Sequence, residues 1–332
     1  MKHHRKSRLA CSNGPRWVAL AASSLLVACQ GDQSALHPGG EQASAVAVLF
    51  WAMAAGTVII WLVVMGFVLY AVVGRKRPRS ERFADRFTLV GGVAFPTVVL
   101  AVLLVFGLAL LPGWTEDEEP DLRVHISAEQ FWWRVIYELA DGGRVETANE
   151  IRLPKDATAE FVVTSPDVIH SFWIPALGGK IDAIPGRSNR IRLTATRTGV
   201  YRGVCAEFCG ASHARMAFDV TVLDAIGFAA WLVAQQQPAG ADDAGLAVFI
   251  SSGCGACHAV RGTIAAGRVG PDLTHVGSRP TIGASTLPND PTTLLAWLAS
   301  PDTSKPGVHM PAYAALPAAD LAVLVSFLAA LR

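Results

Sequence analysis

The chain has 332 residues, and its 28 basic and 27 acidic side chains give a formal net charge of +1, so charge offers no case for nucleic-acid binding. Hydrophobic residues make up 52% of the chain and the mean hydropathy is +0.36, both high for a protein that is soluble throughout. The excess is localised in long apolar runs, which indicates membrane spans rather than an unusually apolar globular domain.

Residues 1–29 are predicted to be a bacterial secretory signal peptide. A basic start precedes a short apolar run, Trp17 to Val27, which is too short to cross a bilayer. The run ends at Ala28 and Cys29, which resembles the signal box of bacterial lipoproteins and would make Cys29 a lipidated N-terminus. Ordinary cleavage near Ala28 is the alternative; we favour lipidation because a small-residue cleavage site does not by itself require a cysteine.

Residues 30–115 are predicted to form a two-helix transmembrane hairpin. The apolar cores of its spans cover about residues 45–73 and 87–111, and each exceeds the roughly 20 residues that a membrane helix needs. Pro96 is expected to kink the second span, which membrane helices tolerate. A buried core helix is the alternative for each run, but a soluble helix of this length normally carries a polar face.

The charges beside the spans predict their orientation. The connection between the spans carries six basic and two acidic residues, whereas the segment after the second span is acidic. The positive-inside rule therefore places the connection in the cytoplasm. We expect a two-span protein of the bacterial cytoplasmic (inner) membrane, with its long C-terminal region on the periplasmic, outer face.

Residues 116–234 are predicted to form an antiparallel β-sandwich. Apolar and polar residues alternate with period two over residues 190–195 and 218–222, and turn signals such as Pro185-Gly186 separate the strands. The residues of this region that could bind a soft metal are His170, Cys205, Cys209, His213 and Met216.

Two thiolates, two imidazoles and a thioether favour copper in an electron-transfer role. Structural zinc is the main alternative, but a weak thioether ligand tunes a redox metal and does little for zinc. Two cysteine sulfurs so close in sequence could also bridge two copper ions. Two disulfides are a further alternative for Cys205, Cys209, Cys254 and Cys257, and would leave the adjacent His and Met residues unexplained.

Residues 45–234 resemble subunit II of haem-copper cytochrome c oxidases, whose outer domain is cupredoxin-like and holds the dinuclear copper A centre. The resemblance is carried by His170-Ser171-Phe172, by residues 180–187, by the loop from Cys205 to Met216 and by the preceding hairpin.

The resemblance implies a ligand set. Cys205 and Cys209 would bridge two copper ions, with His170 and His213 as terminal ligands. Met216 would be a weak ligand of one copper, and the backbone carbonyl of Glu207 a ligand of the other. The Glu207 side chain would also reach a magnesium ion at the boundary with the catalytic subunit.

Residues 130–133 resemble the aromatic stretch through which this family accepts electrons from docked cytochrome c. Phe131 stands where the family usually has Trp, so Trp132 and Trp133 are the candidates for electron entry. Strand and core packing is the alternative role for both.

Residues 235–240 are predicted to be a linker, and residues 241–332 an all-α cytochrome c domain. Cys254, Cys257 and His258 form the attachment signature of c-type haem, with two thiols for covalent attachment and one axial imidazole. A thioredoxin-like CxxC motif is the alternative, but it belongs in a βαβ context and a reducing compartment.

The second axial ligand is predicted to be Met310, the one methionine downstream of the attachment signature. His309 and His275 are its rivals. Resemblance to small bacterial cytochromes c favours Met310, and implies that the Pro271 carbonyl accepts a hydrogen bond from the axial His258.

These features predict the electron-entry subunit of a respiratory haem-copper terminal oxidase, an enzyme complex in which this chain is an electron-transfer module without catalytic residues. Electrons would pass from an external donor, cytochrome c or a quinol:cytochrome c reductase, through haem c and copper A to subunit I, which reduces oxygen to water. Other oxidase subunits are expected partners. The alternatives are the equivalent subunit of a nitric oxide reductase and a stand-alone membrane-anchored copper and haem carrier.

Overall fold

The computed structural model describes residues 31–74, 80–109 and 119–332. The predicted signal peptide with Cys29, four of the six basic residues of the connection and part of the acidic segment lie outside the described residues. Two apolar helical segments are followed by a β-sandwich and a helical C-terminal region, which confirms the predicted fold class. The exact domain boundaries stay a prediction.

Both apolar segments are long and apolar enough to cross a membrane, and their most apolar stretches are not buried against the rest of the chain. The first is one helix, α1, Glu41–Val73. The second runs through α2, Glu81–Leu89, a π-helical turn, Val90–Ala94, and α3, Phe95–Ala109. The π-helical turn ends two residues before Pro96, and both features are known causes of helix bending.

The first turn of α1 is fastened to the sandwich by hydrogen bonds. The backbone N–H of Ala43 donates to the Leu177 carbonyl over 3.2 Å, and Gln42 Nε2 donates to the Arg192 carbonyl over 2.6 Å. A Cβ atom on Gly40 would lie 2.4 Å from the Leu177 carbonyl oxygen, so only glycine allows this approach. The start of α1 and the sandwich therefore lie on the same side of the first span.

Ten strands build the sandwich: β1 Leu122–Glu129, β2 Trp132–Glu138, β3 Arg144–Ala148, β4 Glu150–Pro154, β5 Thr158–Thr164, β6 His170–Trp173, β7 Ile181–Ala183, β8 Asn189–Thr194, β9 Gly199–Cys205 and β10 Ala217–Leu223. One sheet has the order β3-β2-β1-β5-β8 and the other β4-β10-β9-β6-β7. The predicted antiparallel pairing holds for most neighbours, but β1 with β5 and β4 with β10 are parallel. Parallel neighbours need a crossover, and the chain supplies it by passing through the opposite sheet.

Aromatic rings packed against one another join the two sheets in the core. Phe172 and Phe218 stack with centroids 4.9 Å apart, Phe161 lies 5.0 Å from Phe172, and Trp133 lies 5.2 Å from Phe218. All four side chains are fully buried or nearly so. At about 1.5–3 kcal/mol for each buried side chain, this cluster is a large stabilising element, and it holds β2, β5, β6 and β10 in register.

After α4, Ala225–Gln236, the C-terminal region contains four helices and one short ladder: α5 Asp243–Ser251, β11 Thr281–Ile282, β12 Leu287–Pro288, α6 Pro291–Ala299, α7 Pro301–Ser304 and α8 Ala318–Ala330. Asp242 and Asp290 cap α5 and α6, because each side chain accepts from a backbone N–H three residues on. Phe249 of α5 packs on Phe327 of α8 with ring centroids 5.5 Å apart.

The contact between α5 and α8 depends on Gly245, where an added Cβ would lie 2.6 Å from Phe327 Cβ. We predict that Gly245→Ala destabilises this helix pair by about 1–3 kcal/mol, because overpacking outweighs the gain in helix propensity. Faster hydrogen exchange in peptides from α5 and α8 measures the effect. The matched control is Gly240→Ala, where no atom lies within 4 Å of the new Cβ. Equal exchange in both variants would contradict the prediction.

Candidate metal centres

Strand pairing brings together two of the predicted metal ligands. Cys205 is the last residue of β9 and His170 the first of β6, and the antiparallel pairing of these strands sets Phe172 opposite Cys205. His170 Nδ1 consequently lies 3.8 Å from Cys205 Sγ, although 35 residues separate them. His170 is fully buried and Cys205 nearly so.

The connection from β9 to β10 returns the other three side chains to the same place. Cys209 Sγ lies 3.8 Å from Cys205 Sγ, 3.7 Å from His213 Nδ1 and 3.8 Å from Met216 Sδ. The base of the loop is closed because the Cys205 N–H donates to the Met216 carbonyl over 2.9 Å. All five predicted side chains therefore converge on one buried volume.

These separations fit shared metal ligation. Two ligands of one tetrahedral metal, at about 2.3 Å for sulfur and 2.0 Å for nitrogen, lie roughly 3.5 Å apart. A disulfide needs about 2.05 Å between sulfur atoms, much less than the 3.8 Å found between Cys205 and Cys209. The Glu207 carbonyl oxygen also faces the cluster, 3.2 Å from Cys205 Sγ. Sulfur and imidazole donors in this number suit copper.

The two thiols are electrostatically coupled. The hydrogen bond from Cys209 lowers the pKa of the Cys205 thiol to about 3, and the same interaction raises the pKa of Cys209. The pair therefore already carries one thiolate at neutral pH. The second proton must leave when a metal binds to both sulfurs.

The haem-attachment signature lies at a cleft of the C-terminal domain. Cys254, Cys257 and His258 line this cleft, and both thiols are free. His258 Nδ1 donates to the Pro271 carbonyl over 2.8 Å, which leaves Nε2 available as a ligand. A Cβ at position 270 would lie 2.5 Å from the imidazole, so Gly270 lets the chain lie flat against the ring.

The three candidates for the second axial ligand differ in position. Met310 and His309 both line the cleft, and Met310 packs against the domain core while His309 is exposed. His275 is buried, and its Nε2 donates to the Gln237 carbonyl over 3.1 Å. The buried Nε of Arg279, also on the cleft wall, has no hydrogen-bond partner among the described residues but lies 3.6 Å from the Glu150 carboxylate of the sandwich.

The sandwich supplies one wall of the same cleft. Gln130, Phe131, Trp132 and Asp167 lie along it, next to the residues of the C-terminal domain. The two candidate tryptophans point in opposite directions because they are neighbours on one strand. Trp132 faces the cleft, whereas Trp133 is fully buried and its Nε1 donates to the Met216 carbonyl over 3.4 Å.

Comparisons with known proteins agree with this geometry. Residues 127–223 match the family model for the periplasmic domain of cytochrome c oxidase subunit II, and residues 243–332 match the model for cytochrome c. A cytochrome c oxidase subunit 2 from Alkalihalophilus pseudofirmus is 31% identical over 96% of this chain and 97% of its own length. The chain belongs to the cytochrome c oxidase subunit II family.

Two further relatives cover less of the chain. Cytochrome c oxidase subunit 2 from Bacillus subtilis is 30% identical over 72% of each chain. The crystal structure of the periplasmic domain of subunit II (CoxB) from Bradyrhizobium japonicum is 34% identical over 36% of this chain and 96% of that one, with a TM-score of 0.34.

Family membership confirms the predicted function class and cofactors. This subunit II is an electron-entry subunit of a haem-copper oxidase and part of an oxidoreductase complex. Its β-sandwich domain implies copper A and its C-terminal domain implies haem c. It partners other oxidase subunits, and its two apolar helices indicate a membrane anchor.

Ligand spacing did not reveal the residues that support the copper cluster. His170 Nε2 donates to Asp167 Oδ1 over 2.8 Å, and Asp167 Oδ2 accepts from the Gln130 N–H over 2.7 Å. Gln130 Nε2 in turn donates to the Cys209 carbonyl over 2.5 Å. Burial would raise the pKa of Asp167, but the hydrogen bonds from His170, Gln130 and Val168 lower it, so the group is a carboxylate. The one available signal was an acidic residue three positions before His170.

We predict that Asp167→Asn weakens copper binding by about 10- to 100-fold, because the amide no longer holds His170 as a charged acceptor does. Copper retained against a competing chelator measures the change. Asp156→Asn is the matched control, since Asp156 is exposed, pairs with Lys155 and has a positive φ of 61° that asparagine tolerates. Equal copper retention in both variants would rule out this role for Asp167.

Proposed function

We propose that His170, Cys205, Cys209, His213 and Met216, with the Glu207 carbonyl, hold the two ions of copper A in this oxidase subunit. The observation that carries the proposal is the convergence of both thiols, 3.8 Å apart, on two imidazole Nδ1 atoms and one buried thioether. The thioether of Met216 favours copper over structural zinc. Asp167 then fixes the tautomer of His170 by accepting from Nε2.

For the second centre we propose covalent attachment of haem to Cys254 and Cys257, with His258 and Met310 as axial ligands. The hydrogen bond from His258 Nδ1 to the Pro271 carbonyl orients the ring and supports this role. Met310 is preferred over exposed His309, and His275 is engaged with the linker carbonyl of Gln237. When bound, copper and haem iron supply two one-electron carriers.

We further propose that the external donor delivers electrons at the cytochrome domain. The family's electron-entry stretch on the sandwich, including Trp132, lines the haem cleft and is therefore covered by the chain's own second domain. Trp132 and Trp133 lie on the two faces of β2, between the cleft and the copper loop, which supports a role for them in the path between the centres. A soluble cytochrome c or the quinol:cytochrome c reductase is the donor expected from this arrangement.

The proposed location is the bacterial cytoplasmic membrane, with both metal domains on the periplasmic side. The first turn of α1 is hydrogen-bonded to the sandwich, which supports placing the start of α1 and the sandwich on the same side of the membrane.

Glu207 and Phe208 are exposed on the copper loop, and Phe208 is 77% exposed. We propose this part of the loop as the contact with subunit I, where the Glu207 side chain would bind the predicted magnesium. Lipidation at Cys29 stays a prediction.

Purification of the complex from membranes through a tag on this chain tests the function. We expect a co-purifying multi-span subunit with non-c haem, and oxygen uptake driven by a reduced cytochrome or a reductase. Turnover of nitric oxide without oxygen uptake would replace the oxidase with a nitric oxide reductase. Purification of the chain alone, with both metals bound, would instead indicate a stand-alone carrier.

Exchange of single methionines tests the assignment of the two centres. We predict that Met216→Ile shifts the near-infrared absorption of copper and leaves the c-haem spectrum unchanged, because Met216 lies 3.8 Å from Cys209 Sγ and outside the haem cleft. Met310→Ile is the reciprocal control and should change the haem spectrum alone. If either exchange altered both spectra, the centres would not be separate.

A further inference from the structure

The two outer domains meet along the copper loop. Ser212 Oγ donates to the Pro306 carbonyl over 2.7 Å, and Arg215 Nη1 donates to the Ser304 carbonyl over 2.6 Å. The segment 304–306 of the cytochrome domain therefore lies directly against residues 212–215 of the copper loop. The first segment leads to Met310 and the second to Met216.

Lys305 lies in the middle of this contact and is almost fully buried, with 2% of its surface exposed. Its Nζ donates to the Arg215 carbonyl over 2.9 Å and to the Gly283 carbonyl over 2.8 Å. One acceptor belongs to the copper loop and the other to the cytochrome domain. Lys305 thus ties together three segments that are distant in sequence.

A buried lysine is uncommon because removing an ammonium group from water is costly. Burial lowers the pKa of Lys305 to about 7, and no carboxylate forms an ion pair with it within the described ranges. An apolar side chain could fill this volume with less desolvation. The lysine instead fixes how the segments are arranged, because both carbonyl oxygens must stay within hydrogen-bond distance of the one Nζ atom.

Other hydrogen bonds also join the sandwich to the cytochrome domain. Arg202 Nη2 donates to the Ser285 carbonyl over 3.0 Å, and Arg134 Nη2 donates to the Arg268 carbonyl over 2.8 Å. The linker is also bound to the cytochrome domain, through the hydrogen bond that the Ala239 N–H donates to the Arg261 carbonyl. The contact is therefore an extended surface that also includes the buried ion pair of Arg279 with Glu150, and Lys305 is the most deeply buried of these three charged side chains.

We propose that Lys305 is a positioning residue that fixes the cytochrome domain against the copper loop, so that the haem cleft and the copper site keep one separation and orientation. The proposal rests on the proposed function of the two sites. It predicts that electrons pass between them without a preceding movement of the cytochrome domain on its linker.

The test uses the assembled oxidase with Lys305→Met, which keeps the length of the side chain and removes the donor. After rapid photoreduction of the haem, the electron-transfer rate to copper is measured at increasing solvent viscosity. We expect the unaltered enzyme to show no dependence on viscosity. In Lys305→Met the ratio of docked to separated domains should fall by about five- to thirtyfold, so the rate becomes slower and viscosity-dependent.

The matched control is Lys155→Met, because Lys155 is exposed on the sandwich and pairs only with neighbouring Asp156 among the ion pairs of the described residues. It should behave as the unaltered enzyme does. Hydrogen exchange supplies a readout independent of electron transfer, with faster exchange expected in peptides 212–217 and 281–286 of Lys305→Met alone. Copper and haem spectra should stay unchanged in both variants.

Equal rates and equal exchange in the two variants would overturn the role of Lys305. A viscosity-dependent rate in the unaltered enzyme would overturn the fixed contact even if Lys305→Met failed to assemble. Failure of the proposed function has a different signature, because the complex would then consume no oxygen while exchange in the contact segments still responded to Lys305.

Discussion

The copper site depends above all on the pairing of β6 with β9. That pairing sets Phe172 opposite Cys205, and in the core the ring of Phe172 stacks on Phe218 of β10, the strand next to β9. His170 and Cys205 are therefore held by the sheet before any metal binds. The loop that follows only has to return to β10, and its length brings Cys209, His213 and Met216 over the same point. Long-range sheet pairing thus positions two of the proposed ligand side chains, and a short local connection positions the other three.

The turn between β1 and β2 connects the two sites. Gln130 donates its side-chain amide to the Cys209 carbonyl, and its backbone N–H to Asp167, the partner of His170. Gln130 and Phe131 also line the haem cleft. One short turn consequently forms hydrogen bonds to the copper loop and to the partner of His170, and it also forms part of the wall of the haem cleft. A change of conformation at this turn would therefore affect both sites.

Much of this architecture could be predicted from the sequence, because the relevant signals are local. Spacing of Cys, His and Met side chains indicated both centres, and apolar runs and alternation indicated the helices and the sandwich. Asp167 offered only its position three residues before His170. No such signal marked Lys305 or the Glu150 carboxylate, which lies 3.6 Å from Arg279 across the domain contact. Their roles depend on partners that are distant in sequence. A lysine is expected to be a solvated surface residue unless the structure shows that it is buried. The opposite directions of Trp132 and Trp133 likewise follow only from the sheet.

Several hydrogen bonds of the contact between the domains have backbone carbonyls as acceptors. Arg134, Arg202, Arg215 and Lys305 each donate to a main-chain oxygen across it, beside the buried ion pair of Arg279 with Glu150. Hydrogen bonds to main-chain oxygens depend on where the backbone runs, and salt weakens them far less than it weakens exposed ion pairs. A tethered domain already meets its partner at a high effective concentration. Its contact therefore need not supply charge-driven attraction, and the hydrogen bonds can instead determine orientation, which is what transfer between two fixed centres requires.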